Sequence, residues 1–219
     1  MSKKAGIYIG FFVALFIVFY LVLTKIIPGY GEQKLPVLND VQSFSFTNQD
    51  GKIISNKDVD GKVYVAEYFF TTCRGICPKM NNNLKQVYEA YKNEDDFRIL
   101  SHTVDPEIDT VARMKHYADS LAVDSKEWWF LTGKKDSLYH TARVSYLLDD
   151  PKNNNVSIDD QFIHTQFFAL VDKNGQVRKI YDGLKKDEIT ELINDIKKLL
   201  KEKVNGTRFN NSLFTNNPS

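Results

Sequence analysis

The stretch KVYVAEYFFTTCRGICP, residues Lys62 to Pro78, joins two kinds of sequence. Through Phe70 it is β-branched and aromatic almost throughout, the composition of a strand buried on both faces at the centre of a sheet. Beyond Phe70 it holds the chain's only two cysteines, Cys73 and Cys77, and ends on Pro78, a residue suited to the first turn of a helix. Residues at i and i+4 share one helix face. Two sulfurs at that spacing can converge on a soft metal ion or join as a disulfide. Strand, cysteine loop and helix in this order put the thiols at the carboxyl end of a central strand, where open α/β sheets keep their sites.

The flanking segments supply the rest of the sheet. Upstream, Ser43 to Thr47 and Lys52 to Ser55 surround the turn Asn48-Gln49-Asp50-Gly51, a hairpin signal. Downstream, Pro78 to Tyr91 has the pattern of a helix, Phe97 to Val104 of a strand, and Asp109-Thr110 caps a helix running to Leu121. Trp128 to Leu131 is a short strand, Lys135 to Tyr146 a helix, and Leu148 to Gln161 a loop. Phe167 to Val171 and Val177 to Tyr181 form a hairpin over Asp172-Lys173-Asn174-Gly175, and Asp187 to Val204 is a final amphipathic helix. The order β-β-β-α-β-α-β-α-β-β-α predicts an α/β fold, a thioredoxin-like sandwich with an N-terminal hairpin.

Ahead of this domain, Ile7 to Leu23 is unbroken apolar and aromatic sequence, and Ile26 and Ile27 bring it to about the 20 residues a bilayer core demands. The amino terminus, Lys3 and Lys4 outweigh Lys25, which predicts a cytoplasmic N-terminus and a domain on the extracytoplasmic side. A cleaved signal peptide would carry a shorter apolar region and a small-residue cleavage site, and Leu23 to Pro28 offers none, so a retained anchor is expected. The chain therefore divides into a cytoplasmic terminus and transmembrane anchor (residues 1–27, membrane-embedded from 7), a Pro- and Gly-containing linker (28–42), the thioredoxin-like domain (43–204) and a disordered Asn-rich tail (205–219). A net charge of +1 over 219 residues, with no basic block, excludes a nucleic-acid binder. Two cysteines are too few for a disulfide scaffold, and outside the cytoplasm a thiol pair oxidises unless it is kept reduced or occupied by metal.

A helix starting near Pro78 aims N–H groups and partial positive charge at the thiols, and Arg74 adds a full charge, so both thiol pKa values are expected to fall. That serves a nucleophile and a metal ligand equally, and the pair alone leaves redox and metal chemistry open. Among the four histidines, His116 and His140 sit on polar helix surfaces and His102 inside a strand. His164 ends a loop just before the strand at Phe167, and is expected beside the central strand's carboxyl end. Two thiolates and one imidazole suit copper, soft enough for Cu(I) yet able to hold Cu(II), whereas zinc would ask for a fourth ligand. The segment Phe162 to Phe167 also lacks the cis-proline that redox proteins of this fold set against their disulfide, which favours metal. Glu67, in a buried strand, is expected to have a raised pKa and either to pass protons for the thiols or to make a structural pair. Met80 reads as core filling.

These residues resemble the Sco/SenC family of copper chaperones over about residues 40 to 200. The resemblance is carried by Val65-Ala66-Glu67-Tyr68-Phe69-Phe70-Thr71 leading to Cys73-x-x-x-Cys77-Pro78. It continues in Val104-Asp105-Pro106-Glu107-x-Asp109-Thr110, then in His164 with Phe167 and the hairpin at Asp172-x-Asn174-Gly175. It implies a membrane-anchored, thioredoxin-like protein that assists assembly of the copper centre of cytochrome c oxidase subunit II, with Cys73, Cys77 and His164 as ligands to one copper ion. It also suggests Asp105 as a second, outer group near the site. Many members carry proline after the first cysteine, where this chain has Arg74. A metallochaperone is expected rather than an enzyme. The alternative is a thiol-disulfide oxidoreductase in which Cys73 attacks and Cys77 resolves, and a peroxidase of the same fold is a distant third.

Overall fold

A computed structural model describes residues 3–26, 34–150 and 165–204. The chain forms two compact units, divided after Leu35. Among the described residues the first contains one helix, α1 (Lys3–Ile26). Within it Lys4–Leu23 has a mean hydropathy of 2.6 and no residue buried, so it is long and apolar enough to cross a membrane.

The second unit is built on an eight-stranded sheet. Its strands are β1 (Asn39–Asp40), β2 (Ser45–Asn48), β3 (Ile53–Ser55), β4 (Val63–Phe69), β5 (Phe97–Thr103), β6 (Trp128–Thr132), β7 (Phe167–Val171) and β8 (Gln176–Asp182), arranged β1-β8-β7-β4-β5-β6-β2-β3. Strands β4, β5 and β6 are parallel, and β7 runs antiparallel to β4. All seven residues of β4 are buried, as its apolar composition predicts for a strand with neighbours on both edges and both faces. The helices are α2 (Cys77–Tyr91), α3 (Val111–Leu121), α4 (Lys135–His140), which widens into a π-turn over Thr141–Ser145, and α5 (Lys186–Lys201).

Period-two alternation sorts the β4 side chains. Tyr64, Ala66 and Tyr68 join Leu100, Leu131, Tyr139 and Tyr146 in one core layer. Glu67 and Phe69 face the other way: Phe69 packs on Tyr117 of α3 and Phe130 of β6, with ring centroids 5.4 and 5.3 Å apart. On α2 the inward residues Met80, Leu84 and Val87 recur at helical spacing and are fully buried.

Two segments differ from expectation. The linker expected through residue 42 ends earlier, because Leu38 and Val41 donate to the carbonyls of Val177 and Gly175, and Asn39 and Asp40 pair with β8. A two-residue strand has no readable alternation, and this one is held by backbone bonds and by Asn39, whose Nδ2 donates to the Ser145 carbonyl at 2.9 Å. The helix expected to run to Tyr146 changes pitch after His140. The wider turn is marked by the Tyr146 N–H reaching back to Thr141 O, and it buries Arg143 against Asp149 at 2.5 Å.

His102 is the buried histidine of the first core layer, stacked on Tyr68 with centroids 4.9 Å apart. Burial drives its pKa down to about 4, against weaker opposing bonds to the Glu67 and Leu100 backbone. The unfolded chain therefore binds a proton at this residue between about pH 6.5 and pH 4 that the folded chain refuses, so the stability associated with neutral His102 is lost as pH falls through that window. Urea unfolding should show the wild type losing up to about 3 kcal/mol more than His102→Gln between pH 7 and pH 4. Parallel slopes for the two proteins would refute this.

Candidate functional site

The last ladder bond at the end of β4 is from Val104 N–H to the Phe69 carbonyl, at 2.9 Å. The chain then leaves the sheet. Cys73 N–H turns back to the Phe70 carbonyl at 3.2 Å, and α2 begins at Cys77 with Pro78 in its first turn. The two sulfurs are brought together there as free thiols, and the Cys77 N–H points at Cys73 Sγ at 3.4 Å. Cys73 is half-buried, while Cys77 is only 5% exposed.

Their acidities diverge. Burial opposes a thiolate at Cys73, but the Cys77 thiol and the backbone N–H groups of Cys77, Gly75 and Ile76 donate to its sulfur and bring its pKa below the ordinary thiol value. At Cys77 burial comes first and donation to Cys73 second, and together they push the pKa up to about 12. The expectation that both thiols are acidified is thus corrected for Cys77. The donors of the helix start converge on the first sulfur, and the second is drawn into the interior. Arg74 is exposed.

The carboxylate that braces this loop is Asp109, fully buried at the start of α3. Its oxygens accept from Thr71 N–H at 3.1 and 3.3 Å, from Thr71 Oγ1, and from Thr103 Oγ1 at 2.6 Å. Arg113 Nε donates to Thr71 Oγ1 at 2.6 Å. In the sequence Asp109 looks like part of a helix cap, but the cap is Thr110, whose Oγ1 accepts from Arg113 N–H. Two cap-competent residues in a row, where a helix needs one, were the available signal. Asp105 enters through its backbone: its N–H donates to Thr103 Oγ1 at 2.9 Å and its carbonyl accepts from Ile108 and Asp109.

Glu67 lies on the sheet face below α2, with no exposure, and Oε1 accepts from Ser101 Oγ at 2.5 Å. Ser101 Oγ in turn accepts from Trp128 Nε1, and Glu67 Oε2 has no hydrogen-bond partner among the described residues. Burial raises the carboxyl pKa to about 8, the Ser101 bond offsetting part of the rise. This agrees in direction with the sequence-based expectation. Met80 is fully buried, and His116 and His140 are exposed. His164, the expected third donor, lies outside the described residues, as does most of the loop before it. Among the described residues no group of three His, Cys, Asp or Glu side chains converges as a metal cluster.

A sequence profile described as SCO1/SenC matches residues 34–201. The chain belongs to the SCO1/SenC family. It is 35% identical to the SCO1 protein homolog of Bacillus subtilis over 76% of this chain and 86% of that protein. Its fold matches BsSco, a member of the Sco family of cytochrome c oxidase assembly proteins in which a disulfide switch has been identified. There the TM-score is 0.66 and the identity 34%, covering 78% of this chain and 100% of that one. ScoI of Bradyrhizobium japonicum, solved with copper bound, matches at a TM-score of 0.57 and 26% identity, over 74% of this chain and 99% of that one. The thioredoxin-like architecture expected from the order of elements is therefore that of its SCO1/SenC relatives.

The divergent thiols predict unequal alkylation. In the reduced chain at neutral pH, iodoacetamide should modify Cys73 well before Cys77, Cys77→Ser should stay reactive, and Cys73→Ser should react slowly, as mass spectrometry of quenched samples can follow. Equal rates would contradict the asymmetry. For Glu67, an unfolded glutamate ionises near pH 4.5 while the folded one stays protonated to about 8, so stability should decline as pH rises between those values. Glu67→Gln should remove that decline, and urea unfolding should show the variant gaining about 3 to 4 kcal/mol relative to wild type between pH 5 and pH 8.

Proposed function

We propose that this chain is a membrane-anchored copper chaperone. It takes up one copper ion on Cys73, Cys77 and His164 and assists assembly of the copper centre of cytochrome c oxidase subunit II. The observation that carries this is the pair of free sulfurs brought together at the carboxyl end of the central strand, one on the loop and one on the first residue of α2, the first of them the more acidic. Support comes from the copper-bound relative of the same fold and from the cytochrome c oxidase assembly role stated for BsSco. Residues 7–27 would anchor the chain, with the N-terminus cytoplasmic and the domain, residues 43–204, outside.

The chemistry of the donors fits copper as cargo. Cys73 is the first sulfur to ionise and so the first to bind. Cys77 must lose a proton its buried position holds tightly, so loading releases protons and weakens as pH falls. His164 would supply the nitrogen, and Glu67 and Asp105 would act from behind the ligands, Glu67 as a buried carboxyl able to exchange a proton with the site. Ile76, Ile108 and Phe167 leave large apolar surface exposed at the strand and helix ends nearest the loop, a surface a protein partner can cover.

A thiol-disulfide oxidoreductase is the alternative, and the unequal thiols favour it: a more acidic, half-buried Cys73 suits attack, and a buried Cys77 suits resolution. Anaerobic copper titration of the reduced chain in detergent separates the two. The chaperone should bind one copper per chain with a thiolate-to-Cu(II) charge-transfer band, and His164→Ala should weaken binding at least about tenfold while both thiols stay titratable. If His164→Ala binds copper as wild type does, the ligand set proposed here is wrong.

A further inference from the structure

We propose that Asp109 is a positioning residue of the cysteine pair, acting through Thr71 on the turn that presents Cys73. Thr71 stands where β4 has run out of sheet partners, since the ladder with β5 closes at Val104 N–H to Phe69 O. Its N–H would lose its ladder partner at a half-buried strand end, and both Asp109 oxygens take it. The side chain of the same residue is gripped from two sides, donating to Asp109 Oδ1 and accepting from Arg113 Nε. Cys73 follows after one residue, its N–H closed onto Phe70 O. The turn before the first sulfur is thus pinned by a carboxylate with no solvent exposure, itself held by Thr103 at 2.6 Å.

A buried carboxylate is costly, and a helix cap does not require this one, because Thr110 performs that task. What Asp109 secures is the direction in which the chain leaves β4, and with it the aim of Cys73 at Cys77. The role attaches to the thiol pair itself and is independent of which metal the pair holds. Loosening the turn disfavours the disulfide, whose geometry is narrow, more than it disfavours two free thiols. That pushes the equilibrium toward the dithiol.

The test is the equilibrium of the full chain in detergent with glutathione, in which the dithiol and one oxidised glutathione give the intramolecular disulfide and two reduced glutathiones. Asp109→Asn should shift the constant toward the dithiol by about tenfold, or ~30 mV. Thr71→Val should move it the same way, and Thr71→Ser, which keeps the hydroxyl, should restore the wild-type value. Melting temperatures are measured alongside. A purely structural role would lower them and leave the constant unmoved, so a Thr71→Val chain that folds with its constant within about twofold of wild type overturns the proposal. Should Asp109→Asn fail to fold, Thr71→Val and Thr71→Ser decide alone. Copper is absent from the assay, so the failure of copper binding and the failure of this role are separate results.

Discussion

Everything at the site follows from the burial of β4. A strand with hydrogen-bonded neighbours on both edges and packed layers on both faces leaves no route for a functional side chain along its length, other than burial at a cost. Chemistry that needs solvent or a partner must wait until the chain leaves the sheet, and it leaves at Phe70. The cysteines come immediately after. The helix that follows turns the loop's backbone N–H groups toward the first sulfur, so the sheet's termination and the thiol's acidity are one structural event.

The same constraint explains why polar groups gather under the loop. Where β4 and β5 end, backbone donors lose their ladder partners, and side chains must replace them. Asp109 and Thr103 do so at Thr71 and Asp105. Glu67 is a different case, a carboxyl inside the strand with only one oxygen bonded among the described residues. Burial keeps it neutral through ordinary pH, which spares the interior a lone charge and leaves a proton within electrostatic range of Cys77.

The two thiols show how a short distance in sequence separates environments. Cys73 lies in the loop, where it collects donors, and Cys77 begins the helix and faces inward. A metal that bridged them would have to pull a proton from the buried sulfur, and a disulfide between them would have to form from a half-buried nucleophile and a shielded partner. Metal uptake and thiol exchange would therefore draw on the same asymmetry. That fits the copper-bound and disulfide-switching relatives of the same fold.

Much was legible in the residues alone. The burial of β4 was written in its β-branched and aromatic run, the hairpin over residues 172–175 in its turn residues, and the cysteine loop in its spacing, because local composition and periodicity are properties of adjacent residues. The raised pKa of Glu67 followed from placing an acid in such a strand. The role of Asp109 did not, since its partners Thr71 and Thr103 lie on strand ends that meet it only when β4, β5 and α3 assemble, and in sequence it is one more residue before a helix. Nor did the high pKa of Cys77, which depends on how far α2 sinks its first turn into the core. The pairing of residues 39–40 with β8 was equally invisible, as backbone bonds carry no side-chain signature. Sequence determines which groups are near one another along the chain, and only the packed fold decides which of them lose water and which find a partner.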